Sequence, residues 1–182
     1  MYYSGIGSRE TPPAILAQFE QFAYIAANRG LILRSGGADG ADSAFEQGAI
    51  NARGMMEIFL PWKGFNNNTS TLISPSADAY RLAATIHPAW NNLRRPAKLL
   101  VARNMHQVMG LSLKSPVKFV ICYTSDGCES HETYGRQTGG TGSALKLASL
   151  NGIPIFNVAN QDRFIDATEY MLELTGANND QT

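Results

Sequence analysis

The chain has 182 residues, 44% of them apolar, with fifteen basic and fifteen acidic residues that cancel. That length and apolar share suit one well-buried domain rather than two, and the neutral balance excludes a general electrostatic wrap of nucleic acid, which would need a local basic patch instead. No run approaches the roughly 20 apolar residues of a membrane span, and the opening MYYSGIGSRE has no charged leader, so a cytosolic protein is expected.

Tyr2 to Ile6 reads as a first strand that passes into Gly5-Ile6-Gly7-Ser8-Arg9. Thr11 is placed to cap a helix with Pro12 at its first position, and Ile15, Phe19, Phe22 and Ile25 recur at helical spacing up to Asn28. Leu31 to Arg34 supplies a second strand. The turn Ser35-Gly36-Gly37-Ala38-Asp39-Gly40-Ala41-Asp42 follows and opens a helix over Ser43 to Ala52. Met55 to Leu60 is a third strand, broken at Pro61. Trp62 to Ser76 is polar, without a period, and is expected as a loop of the length often used for lids or insertions near a site. Helices are expected over Ala77 to Ile86 and Pro96 to Met109, the second with Leu99, Leu100, Met105 and Val108 as core positions.

Val117 to Tyr123 (VKFVICY) has almost no polar interruption, as a parallel strand buried on both faces should. Beyond the polar loop Thr124 to Gln137 come the turn Thr138 to Ser143, a short helix, a stop at Gly152, a strand at Ile153 to Val158 and a last helix over Asp162 to Leu174. Residues 177–182 are expected to form a flexible tail. Five strands alternating with helices predict a single Rossmann-like α/β domain over residues 1–176, with an open, mostly parallel sheet covered on both faces. In such sheets ligands bind at the carboxyl ends of the strands. Gly7 to Arg9, Ser35 to Asp42, Thr124 to Gln137 and Thr138 to Ser143 all fall there.

Gly139, Gly140 and Gly142 lack Cβ atoms, so their backbone can take positive φ and admit an anion, while Thr141 and Ser143 add hydroxyl donors at the start of the helix. Two readings stand: a cradle for a phosphate or carboxylate, and a glycine-rich corner without a ligand.

These residues are specific enough to suggest a family. The opening GIGSRETP resembles the G-S-R element of the DNA-processing protein A (DprA/Smf) family, RSGGADGADSAFEQGA resembles its S-G-G-A-x-G-I-D-x-x-A-H motif, and ARNMHQVMGLS is similar to its R-N-x-x-I-x-x-L-S element. TGGTGSALKLASLNGIPIFNV is closer to the P-G-G-x-G-T-x-x-E element of the lonely guy (LOG) proteins, phosphoribohydrolases that cleave nucleoside monophosphates. The resemblance, to the SLOG superfamily that joins both, covers the chain to about residue 158. It implies a Rossmann-like fold, a phosphate-bearing ligand and self-association. It also implies a stand-alone core of the kind found in phages and mobile elements. Its motifs place ligand contacts at Gly7, Ser8, Arg9, Ser35, Gly36, Gly37, Ala38, Asp39, Asp42, Arg103, Asn104, Thr138, Gly139, Gly140, Thr141, Gly142 and Ser143. The place of the LOG glutamate falls at Lys146, and an ammonium can neither stabilise an oxocarbenium-like centre nor activate water.

Several residues carry two readings. Arg9 can fork onto a phosphate or lie in a surface loop. Asp39 and Asp42 can complement the helix dipole or hold ribose hydroxyls. Trp62, Phe65 and Trp90 can stack on a base or close a core edge. Ser35 and Ser143 have no His or Lys base beside them in the sequence and read as hydrogen-bond donors. His87, His106 and His131 show no zinc-like spacing, and Cys122 and Cys128 suggest neither a disulfide nor a metal site, so no metal or cofactor is expected.

The leading expectation is a binding protein for a nucleotide or nucleotide-derived signalling molecule, acting as sensor or sequestering sponge, for instance in phage counter-defence. Cleavage of an N-glycosidic bond, with Glu129, Glu132 or Asp126 replacing the missing glutamate, is the alternative. Single-stranded DNA binding is the third and is not favoured by the neutral charge. A homodimer or dimer-based assembly is expected from the resemblance and from apolar residues on the helix Pro96 to Met109 that exceed the needs of one face.

Overall fold

A computed structural model describes residues 1–176; the tail expected over 177–182 lies outside the described residues. Strands β1 (Tyr2–Gly7), β2 (Ile32–Ser35), β3 (Met56–Ile58), β4 (Val120–Tyr123) and β5 (Ile155–Asn157) alternate with helices α1 (Pro13–Asn28), α2 (Ala41–Asn51), α3 (Ala77–Ile86), α4 (Arg95–Met109), α5 (Gly142–Leu150) and α6 (Arg163–Leu174). Every strand pair is parallel, and the spatial order is β3-β2-β1-β4-β5. The fold is therefore a Rossmann-like α/β domain, with the strand order reversing direction between β1 and β4. Among the described residues no helix is long and apolar enough to cross a membrane.

Both sheet faces are buried because the strands alternate apolar residues to either side. On one face Tyr3, Leu33, Phe119, Ile121 and Phe156 pack against Phe19 and Phe22 of α1, Phe45 of α2 and Met171 of α6. Phe119 is the hub of that layer, stacked on Tyr3 at 5.5 Å between ring centroids and edge-on to Phe22, Phe156 and Tyr170. On the other face Ile6, Val120, Cys122 and Ile155 meet Ala79 and Ala83 of α3, Val101, Met105 and Val108 of α4 and Leu145 of α5. Cys122 and Cys128 are buried free thiols. Residues 101 to 108 of α4 are all buried within the chain itself, while Leu99, Leu100 and Met109 are half-buried.

The structure corrects several local readings. Thr11 does not cap α1: Pro12 occupies the cap position, and the Thr11 hydroxyl donates to Ser8 O at 2.7 Å, tying the loop after β1 instead. Helix α2 starts two residues early, which puts Asp42 inside its first turn. The loop Trp62 to Ser76 is fastened over the β3 edge by a bridge between Leu60 and Ile73, by Ser70 Oγ donating to Ile58 O at 2.6 Å and by Phe65 in the core. Ser76 closes it by capping α3, its Oγ accepting from Ala79 N–H at 3.1 Å. Ser76→Ala should cost about 1 kcal/mol of folding stability, read as a lower urea midpoint with an unchanged slope.

Candidate functional site

The carboxyl ends of β1 and β4 face a cavity of about 480 Å³, where a reversal of strand order leaves a crevice between diverging connections. Its walls come from four segments: Ile6 to Glu10 at the end of β1 and beyond it, Ala38 and Asp42 after β2, Thr124 and Ser125 after β4, and Gln137 to Thr141 before α5. Helix α4 closes the back with Leu100, Arg103, Asn104 and Gln107. Ser35, Gly36, Gly37, Asp39, Gly142 and Ser143 do not line it, and neither does any residue from 62 to 76.

The two glycine turns are built differently. In the first, the backbone N–H groups are taken by the chain's own acids: Gly37 N–H donates to Glu46 Oε1 at 2.9 Å and Ala38 N–H to Asp42 Oδ2 at 3.3 Å. A Cβ on Gly36 would lie 1.1 Å from Arg103 Nη1, so glycine is needed there for the guanidinium to lie against the backbone. Asp39 is exposed and accepts from the Asn66 amide at 2.9 Å. Ser35 Oγ is buried without a partner.

The second turn is open. A Cβ built on Gly139 or Gly140 would meet nothing within 4 Å, and both residues are exposed. Positive φ occurs at Gly139 alone (66°), not at Gly140 or Gly142. Gly142 is required for another reason: a Cβ there would lie 2.2 Å from the Tyr134 ring. The turn is held from both sides, by Asn104 Nδ2 donating to Gly140 O at 2.8 Å and by the Thr138 hydroxyl donating to Asp126 at 2.6 Å. Helix α5 leaves this turn with no acidic residue in its first turn, so its N-terminal partial positive charge is uncompensated from within the helix.

Arg103 Nη1 lies 3.4 Å from Asp42 Oδ2, and both side chains are almost fully buried. Burial pushes the Asp42 carboxyl up, against the pull of Arg103 and of the Ala38 and Gly7 N–H groups. Burial likewise lowers Arg103, against Asp42 and Glu46. Glu46 is pushed up to about 7, first by burial and then by Asp42, with the Gly37 N–H, the Asn68 amide and Arg103 opposing. Both carboxyls thus bind protons more tightly folded than unfolded. For Glu46 the contribution to stability is fully present below about pH 4.5 and is lost as pH rises through about 7, and Asp42 acts in the same direction. Glu46→Gln should remove its share of this slope, on the order of 3 kcal/mol between those limits, read from urea midpoints across pH.

The remaining candidates separate clearly. Gly7, Ser8, Arg9, Ala38, Asp42, Arg103, Asn104, Thr138, Gly139, Gly140 and Thr141 come together on the cavity. Lys146 points elsewhere, donating to Ile86 O at the end of α3 at 2.9 Å. Glu129 is tied to Arg163 at 2.8 Å, and neither it nor Asp126 nor Glu132 lines the cavity. Trp62 packs on Phe65 and Trp90 on Tyr80, and the lining contains no aromatic side chain. Among the described residues no group of three or more His, Cys, Asp or Glu could hold a metal ion.

Sequence reading missed Glu46 and Gln107. Glu46 is distinguished only by contacts that form after folding, but Gln107 stands four residues after Arg103 and three after Asn104, on the same helix face, and that spacing is a usable signal. No family model, no curated protein and no solved structure matches the chain.

Proposed function

We propose that the chain binds a nucleotide or nucleotide-derived signalling molecule through its phosphate, as a sensor or sequestering sponge. The observation that carries this reading is Arg103: a cation only 5% exposed that nonetheless lines the same cavity as the open Gly139-Gly140 turn. A guanidinium held in a buried wall keeps its charge poorly screened, and an anionic oxygen meeting its cavity side would gain a charge-assisted bond. The N-terminus of α5 adds its partial positive charge to the same side.

Binding is favoured over cleavage because the cavity carboxylates are Asp42, committed to Arg103 and two N–H groups, and Glu10, which is exposed. The test is calorimetry with AMP, ADP-ribose and NAD, with adenosine as the phosphate-free control and chromatography of the recovered ligand. Binding of a phosphate-bearing member with intact recovery and no adenosine binding supports the reading. Appearance of free base or nicotinamide would replace it with N-glycosidic hydrolysis, and no binding by any member would overturn it.

A further inference from the structure

We propose that Gln107 is a positioning residue of this cavity, whose amide joins the two glycine turns through α4 and sets the orientation of the Arg103 guanidinium. The proposal rests on the phosphate-binding reading. Gln107 is 2% exposed. With its amide oxygen turned to the neighbouring donors, Oε1 accepts from Arg103 Nη1 at 2.9 Å and from Gly36 N–H at 3.1 Å, and Nε2 donates to Asn104 Oδ1 at 3.0 Å. Asn104 passes the connection on by donating Nδ2 to Gly140 O. A continuous path of hydrogen bonds therefore runs from Gly36, just after β2, to Gly140, just before α5.

A primary amide suits this place at no net charge, since it offers an acceptor to two donors and a donor to one acceptor in a single plane. A carboxylate would have no proton for Asn104 and would set another negative charge against Arg103. An aliphatic side chain would strand Gly36 N–H and Asn104 Oδ1 in a buried place. Space enforces the arrangement as well, because a Cβ on Gly36 would lie 2.6 Å from the Gln107 amide. With Nη1 held between Gln107 and Asp42, the guanidinium is fixed in the cavity wall that Arg103 lines.

The test compares Gln107→Glu and Gln107→Leu with the wild type, using AMP as the probe. At about pH 8 Gln107→Glu should bind AMP at least ~10-fold more weakly than the wild type. At about pH 5 the ratio should fall to within about threefold, because burial at this 2% exposed position raises a carboxyl as it raises Asp42 and Glu46 beside Arg103, and the protonated acid again donates to Asn104 Oδ1 while accepting from Arg103. Expressing each value relative to wild type at the same pH cancels the titration of the AMP phosphate. A ratio that is the same at both pH values would overturn the proposal, as would a folded Gln107→Leu that binds AMP as tightly as wild type. A second measurement needs no ligand: the Gly36 amide hydrogen should exchange at least ~10-fold faster in folded Gln107→Leu. Unchanged exchange would overturn the tie itself. If the wild type binds neither AMP nor ADP-ribose, it is the phosphate reading that fails, and Gly36 exchange alone then decides the role of Gln107.

Discussion

Gly140→Val should raise the dissociation constant for AMP by at least ~100-fold, a loss of about 2.8 kcal/mol, while the folded chain stays within about 0.5 kcal/mol of wild-type stability. The two halves of this result have separate causes. The fold tolerates the change because residue 140 is exposed, does not have positive φ, and has nothing within 4 Å of its Cβ position. Binding does not, because a branched side chain then occupies space above the turn that an anion must enter to reach the start of α5. Gly142→Ala is the contrasting control: its Cβ would strike the Tyr134 ring, so it should lower stability. Calorimetry and urea unfolding on the same preparations read both quantities. Unchanged AMP affinity in folded Gly140→Val would mean that the glycines only turn a corner.

Arg103→Ala should cost about 3–5 kcal/mol of stability near neutral pH and abolish AMP binding, because it strands the Asp42 carboxylate in a buried place. The sign of the pH dependence distinguishes this cause from lost packing. Asp42 is already raised above its unfolded value by burial, and Arg103 is the strongest of the influences that oppose the rise. Without Arg103 the folded carboxyl binds its proton more tightly still. The deficit should therefore be largest above the folded value and shrink as pH falls through it, because the protonated acid carries no uncompensated charge. Removing both charges in Arg103→Met with Asp42→Asn should recover much of the stability without restoring binding, the pattern of a coupled pair in a double-mutant cycle. A loss below about 1 kcal/mol, the same at all pH values, would argue against a stranded charge.

Much of the architecture is legible locally. VKFVICY declares itself a central strand because it must satisfy apolar surroundings on both faces, and it lies between β1 and β5 with Phe119 and Val120 fully buried on opposite sides. The α1 pattern of Phe19 and Phe22 is likewise visible from helical spacing alone and does face the core. Boundaries are less legible. Thr11 looks like a helix cap, yet its hydroxyl finds Ser8 O, because Pro12 sets an extended backbone at the cap position and the loop after β1 offers a nearer acceptor.

What the sequence by itself determined is the succession of strands and helices, the parallel class of the sheet and the presence of glycine turns at strand ends, since each depends on residues within one or two turns of chain. Only the tertiary structure decided that β4 lies beside β1, so that the crevice opens there. It also decided that the two glycine turns differ, one filled by Glu46 and Asp42 and the other open. Arg103 meets Asp42 across 61 residues and Asn104 meets Gly140 across 36. Such partners are chosen by which helix the sheet brings over which strand end. No local propensity encodes that choice, because a buried carboxylate, amide or guanidinium takes whichever complementary group the packed chain places within hydrogen-bond reach.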